Sequence, residues 1–233
     1  MGILSKVVLP LKRMDKKLLQ LEHVIGFYAF LLVLWGFYRA LFKLPDAVEE
    51  AVLKPLVWLI PTIWLVRREG LGLASLGWTF KNLWKSIYIA IGLGVLFAAV
   101  AVLANLVKYN GSPNFSLPPG VPGTAPLFFG ALGLSLVTAI SEETVFRGFI
   151  FNRLWRILKN ELFANVVTTL GWAIIHIPVL IFVYKLGLSE ISVRAILTAA
   201  FGFGSAFVFA RTGNIAPSIL LHLFWGWTIT LFR

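Results

Sequence analysis

The sequence predicts an all-α fold, a polytopic bundle of about six to eight transmembrane helices around a polar cavity. Three observations carry that prediction. Hydrophobic residues make up 59 % of the 233 and charged residues only 13 %, with a mean hydropathy of +0.87. Soluble domains hold about 45–50 % apolar and about 25 % charged residues, so this chain could not cover a water-facing surface. The second observation is a series of charge-free runs long enough to cross a bilayer. The third is that alternating strands of about ten residues, the mark of an outer-membrane barrel, are missing.

Each element follows from those runs. Residues 1–23 carry Lys6, Lys12, Arg13, Lys16 and Lys17 among Leu and Val. They read as a cytoplasmic or interfacial amphipathic tail. Residues 24–125 hold the N-terminal transmembrane helices and a loop. The first span is Val24–Tyr38. The second is Ala51–Val66, interrupted by Lys54, Pro55 and Pro61, and the third is Ser86–Val107. Asn110–Pro126 is rich in Pro, Gly and Ser and predicts the loop. Residues 126–233 form the remaining core. Leu127–Ile140 opens a fourth span, which Phe149–Leu158 either completes or follows as a short separate helix. Leu162–Tyr184, Ala195–Ala210 and Thr212–Phe232 are the fifth to seventh spans.

The net charge is +11, from 21 Lys+Arg and 10 Asp+Glu. No basic run is interleaved with aromatics in a soluble segment, so nucleic acid is not an expected partner; the lipid bilayer is. With the N-terminus in the cytoplasm, 14 cations fall in inside segments and 7 in outside ones. Lys54 counts among the outside ones. This two-to-one bias predicts an integral, multi-pass membrane protein with a cytoplasmic N-terminus. The chain has no cysteine, which excludes disulfides, thiolate metal sites and a Cys nucleophile.

Ionisable groups within the spans are costly in lipid and mark candidate sites. Eight of the ten acids read as tail, loop or helix-end residues; Glu142 and Glu143 follow an apolar stretch directly. Arg147 lies four residues after Glu143, so on a helix these two share a face. Glu142 points about 100° away, at 3.6 residues per turn. Two adjacent acids with one cation should not titrate alike. The same window also describes a helix surfacing at the interface, with Arg153, Arg156 and Lys159 following. The histidines tilt the balance. His23 reads as an interface residue, whereas His176 and His222 each lie near the middle of a span. Polar groups in lipid seek one another, so Glu142, His176 and His222 are expected to converge. A Glu and two His around a cavity can activate water and stabilise an oxyanion.

Other chemistries lack their motifs. There is no His-Glu-x-x-His and no Gly-x-Gly-Asp. Gly133-Leu-Ser135 is a weak serine-site pattern. The Gly pairs Gly70/Gly72 and Gly202/Gly204 follow no strand, so dinucleotide binding is rejected. Gly94-x-x-x-Ala98 and Gly202-x-x-x-Ala206 fit close helix packing. The sequon matches at Asn110 and Asn114 are short enough to arise by chance.

Glu142-Glu143-Thr-Val-Phe-Arg147 resembles the Glu-Glu-x-x-x-Arg motif of the CAAX prenyl protease and bacteriocin-processing family, also called Abi or CPBP. Trp172 to His176 resembles its Phe-x-x-x-His motif with one aromatic exchanged for another. His222 begins its His-x-x-x-Asn motif. The resemblance covers roughly residues 125–230, with the three motifs in order. It implies an intramembrane endopeptidase acting on a membrane-anchored polypeptide, such as a prenylated, CAAX-like one. Carried over, Glu142 is the base, His176 its partner and His222 an oxyanion donor, with Glu143 and Arg147 in support. No cofactor is implied, and the chain offers no further obvious ligand for a tight metal site. The sequence departs from the family at Gly226, where the third motif has its Asn. Candidates to replace that donor are Trp225, Trp227 and Thr228. The departure also fits a catalytically weak or inactive immunity or scaffold protein of the same family. A proton-coupled transporter using the same three residues as a relay is a further alternative. With Arg147 at the cytoplasmic end of its helix, the cavity is expected to open inward.

Overall fold

The computed structural model describes residues 4–42, 44–114 and 125–231. Among the described residues there are seven helices and no strand. Helix α1 is Leu4–Leu41, a single helix that joins the basic N-terminal segment to the first span. Helix α2 begins at Asp46–Val48, runs through a π turn at Glu49–Leu53 and continues as Lys54–Arg68. Pro55 sits in the first turn after the π turn. The amide it lacks would have had no partner within an α-helix's first turn anyway. A short 3₁₀ turn, Leu73–Leu76, leads into α3, Leu83–Lys108.

Helix α4 is continuous through Ala125–Glu143, a π segment Thr144–Phe151 and Asn152–Leu158. Phe149–Leu158 therefore completes the fourth helix. It stops where Lys159 takes φ +58°, and Asn160 caps the next helix by accepting from the Phe163 amide at 2.9 Å. Helix α5 is Glu161–Pro178 with a π turn at Val179–Val183; α6 is Leu188–Thr212 and α7 is Ala216–Leu231. Most of the Asn110–Pro126 segment, at 115–124, lies outside the described residues. Five helical stretches are long and apolar enough to cross a membrane: Lys16–Tyr38, Leu83–Lys108, Phe129–Leu158, Glu161–Val183 and Leu188–Thr212. Their outward positions, such as Val33, Val95, Leu103, Val107 and Ile196, are apolar and more than half exposed, as a lipid-facing surface requires.

The helices alternate in direction, so the bundle has two distinct ends. The proximal end, where α1 starts, is tied by polar contacts. Arg153 donates to Glu69 at 3.0 Å and to the Ser75 carbonyl at 2.9 Å. His23 lies 3.4 Å from the other Glu69 oxygen. Asn214 donates to the Thr79 and Lys81 carbonyls, and Arg211 pairs with Glu161. His23 is thus a buried partner of an internal acid rather than an interface residue, because α1 extends past it into the bundle. The distal end gathers the α1–α2 connection, the end of α3 and the α5–α6 turn.

Small residues set the closest helix approaches. A Cβ on Gly202 would lie 3.0 Å from Trp172 and 3.3 Å from Arg147. Gly94 faces the Phe224 ring of α7. Both belong to the small-residue pairs that the sequence marks for packing. Ser135, of the weak serine pattern, donates to the Ala131 carbonyl of its own helix at 2.9 Å.

Candidate active site

The site is built on α4, where every residue from Ser141 to Leu154 is buried. Glu143 and Arg147 form the i,i+4 pair, with Nε 3.1 Å from Oε2. The Arg147 guanidinium lies 4.2 Å from the centroid of the Trp172 ring and 5.7 Å from that of Phe201. It is therefore held by one carboxylate and two aromatic faces, an arrangement that suits a weakly hydrated planar cation. Ser205 donates to the same Glu143 oxygen at 2.7 Å. The second Glu143 oxygen accepts from His222 Nδ1 at 2.8 Å.

Glu142 points to the other side. Its Oε1 is 2.9 Å from Lys54 Nζ. Its Oε2 accepts from Trp172 Nε1 at 3.2 Å. The same oxygen lies 3.9 Å from His176 Nε2 and 4.0 Å from His222 Nε2. Those two gaps are too long for direct hydrogen bonds and fit one water touching all three atoms. The partners on the far side of each ring assign the tautomers. His176 Nδ1 lies 2.6 Å from the Trp172 carbonyl, and His222 Nδ1 faces a carboxylate. Both partners only accept, so each Nδ1 carries a proton and each ring turns its Nε2 toward Glu142.

Lys54 and Glu50 are part of this site. Lys54 is buried and ion-paired to both Glu50, four residues earlier, and Glu142. Its ammonium also lies 5.2 Å from the Trp35 ring centroid and 5.8 Å from that of Trp58. Thr138 donates to Glu50 at 2.6 Å. The count of Lys54 as an outside loop cation is corrected here: the π turn before it swings its side chain into the bundle. Two of the eight acids grouped with tails, loops and helix ends are buried as well. Glu49 is 2 % exposed, and the Glu69 side chain is 1 % exposed against Arg153. The signal available in the sequence was the presence of Lys54 inside an otherwise apolar run.

A cavity of about 360 Å³ lies against Glu142, Lys54 and His176 and continues past Glu50, Thr138 and Arg194. A neighbouring hollow of about 330 Å³ shares Glu50, Thr138 and Tyr184 with it and reaches His222, Gly226 and Trp227. The first extends from Glu142 toward Thr138 and Arg194, and the second lies beside it against His222. On the proximal side, buried α4 residues fill the bundle, and Gly148 packs directly on the Leu76 carbonyl. The expectation that the cavity opens at the Arg147 end is corrected to this extent: Arg147 does not line the cavity, which lies on the other side of Glu142. Arg147 and Arg153, read as helix-end charges, are interior residues at 1 % and 0 % exposure.

The three candidate donors near Gly226 go different ways. Trp225 lines the main cavity and stacks on Phe201. Trp227 lines the neighbouring hollow. The Thr228 hydroxyl donates to the Phe224 carbonyl of its own helix. Nothing lies within 4 Å of where a Gly226 Cβ would be. Among the described residues no group of three His, Cys, Asp or Glu has an arrangement that could hold a metal ion.

Comparison with known proteins gives one match. Residues 124–228 match the family model described as type II CAAX prenyl endopeptidase, Rce1-like. No curated protein and no solved structure matches the chain. The matched segment contains Glu142, Glu143, Arg147, Trp172, His176 and His222, and runs from the start of α4 into α7. Five candidate spans and a membrane-protease match make this an integral membrane protein. Through that segment, the chain is similar to the type II CAAX prenyl endopeptidases, Rce1-like.

Proposed function

We propose that the protein is an intramembrane endopeptidase that cleaves a membrane-anchored polypeptide with water activated by Glu142 and His176. The observation that carries this reading is the approach of both histidine Nε2 atoms to one Glu142 oxygen, beside a cavity. A water held between Glu142 Oε2 and His176 Nε2 attacks the scissile carbonyl carbon, and Glu142 takes its proton. The C–N bond then breaks, and the same proton passes to the leaving amine. The developing oxyanion is met by His222. Donation from Nε2 requires the doubly protonated ring, with Nδ1–H still held by Glu143. Lys54 and Trp172 fix the carboxylate plane. The substrate class is a polypeptide tethered to the bilayer, of which a prenylated, CAAX-like chain is one form. No cofactor is required by this chemistry. The N-terminus is assigned to the cytoplasm.

The test is cleavage in detergent of prenylated and unprenylated peptides. Wild type should cut, whereas Glu142→Ala and His176→Ala should not. Cleavage that survives Glu142→Ala would sink the mechanism. A second reading, a weak or inactive immunity or scaffold protein, is favoured by Gly226. Its signature would be a folded wild type that cuts no peptide and gains activity only as Gly226→Asn.

A further inference from the structure

We propose that the groove between α3 and α6 binds one anionic phospholipid, its acyl chain laid along Gly92 and Gly204 and its phosphate at Lys85 and Arg211. The groove is separate from the cavity beside Glu142, and its ligand does not depend on the endopeptidase reading.

The groove has a volume of about 600 Å³. Ile89, Gly92 and Phe97 of α3 line one side, Gly204 and Val208 of α6 the other, and Leu221 of α7 lies between them. It stays open because two of these residues have no side chain. Among the described residues nothing stands within 4 Å of where a Cβ on Gly92 or Gly204 would be. Gly94 and Gly202 differ: a Cβ there would strike Phe224 or press on Trp172, so those glycines serve close packing.

The dimensions suit one lipid chain. From Ala200 to Arg211 the groove follows α6 for about 16 Å, at about 1.5 Å per residue. The hydrocarbon core of a bilayer is about 30 Å thick, so the groove has the depth of one leaflet. A partner's spanning helix would need a track through both.

Charge gathers at one end. Arg211 lines that end of the groove. Lys85 is exposed and lies four residues before Ile89, on the same face of α3. The start of α3 and the end of α6 are joined there, since the Asn82 side chain donates to the Thr212 carbonyl at 3.1 Å. Trp84 and Tyr88 flank Lys85, each 70 % exposed. Exposed Trp and Tyr mark the level of lipid headgroups. Arg211 also pairs with Glu161 through one Nη at 2.9 Å and lies 4.4 Å from the centroid of the Phe207 ring. A guanidinium has five N–H donors, so this pairing leaves others for a phosphate. Two cations against one acid favour an anionic headgroup, as basic pockets between spanning helices do. A prenyl chain on a polypeptide would fill the trough but brings no phosphate to the cations.

The bottom of the groove is the back of the candidate active site. Phe201 lines the groove, and its ring centroid lies 5.2 Å from that of His222. Ser205 lines it too, and donates to Glu143 at 2.7 Å. A seated acyl chain therefore packs on the residues that hold Glu143 and His222 in place.

Thermal unfolding of the delipidated full chain in neutral detergent tests the site. Phosphatidylglycerol should raise the unfolding midpoint, because a ligand of the folded state stabilises it. Phosphatidylcholine should raise it less. Lys85→Gln combined with Arg211→Gln should weaken phosphatidylglycerol binding about 30-fold, about a factor of five for each cation. Glu161→Gln breaks the ion pair but keeps the cation, so it should leave the response intact. Gly92→Leu and Gly204→Leu should each abolish the response to both lipids without lowering the midpoint of the lipid-free protein. Equal responses of wild type to the two lipids overturn the proposal, as does a full response in both leucine variants. If those variants misfold, Lys85→Gln alone decides, since its side chain is exposed: unchanged phosphatidylglycerol affinity overturns the proposal. A larger shift with a farnesylated peptide than with phosphatidylglycerol would make the groove a substrate-anchor site. A lipid-free dimer that Gly204→Leu dissociates would make it a protein interface. Either result overturns the lipid. No readout requires turnover, so a protein that cuts no peptide would lose the endopeptidase reading and keep this site.

Discussion

Glu142 has a charged neighbour that comes from 88 residues away along the chain. Removing one member of a buried ion pair leaves the other uncompensated and costs about 3–5 kcal/mol. Lys54→Ala should therefore lower the thermal unfolding midpoint in detergent, and Lys54→Arg should restore part of the loss. An unchanged midpoint for Lys54→Ala would mean that the pair adds nothing. At Gly226 the expectation runs the other way. An oxyanion-hole donor is worth about 10²–10³ in kcat. Because a side chain there meets open space, Gly226→Asn should raise kcat, while Gly226→Ala should not. Equal rates for Gly226→Asn and wild type would show that the donor is already supplied. Glu142, His176 and His222 were legible in the sequence because so few ionisable groups interrupt its apolar half. Lys54 was not: an isolated lysine in a proline-interrupted run looks like a boundary until its helical phase is known.

The phase is set by elements that no hydrophobic pattern announces. Three π segments adjoin the site: Glu49–Leu53 before Lys54, Thr144–Phe151 after Glu143, and Val179–Val183 after His176 and Pro178. Such segments recur at functional sites because they widen the turn and re-aim the side chains around it. The spans themselves were readable, since a charge-free run and a capping Asn160 or a turn at Gly213 delimit a helix. The continuous α1 and α4 were not, because charges that look like boundaries turned out to have partners inside the bundle. Gly148 gives an element-level test. A Cβ there would stand 2.6 Å from the Leu76 carbonyl oxygen. Gly148→Ala should cost about 1–3 kcal/mol as overpacking, read as a lower unfolding midpoint. No shift would mean that the 3₁₀ turn yields freely.

At the scale of the whole molecule the bundle is polar along its axis. One end is basic and tied by the Glu69–Arg153 and Asn214 contacts; the cavity lies on the side of Glu142 away from Arg147. The charge bias was readable from loop residues, but the place of the cavity was not. Arg147 looked like the edge of the membrane and is instead under the floor of the site, covered by aromatic rings. The unbroken burial from Ser141 to Leu154 has a further consequence. A hydrolase inside a bilayer has to bring water partway across while keeping the membrane insulating. Buried side chains along α4 on one side of Glu142 leave no wetted path along that helix, so the protein should sit in an energised membrane without dissipating the electrochemical gradient. Liposomes containing it should hold a pH gradient as long as empty ones do, and a leak that disappears in Glu142→Ala would instead reveal a conducting path through the site.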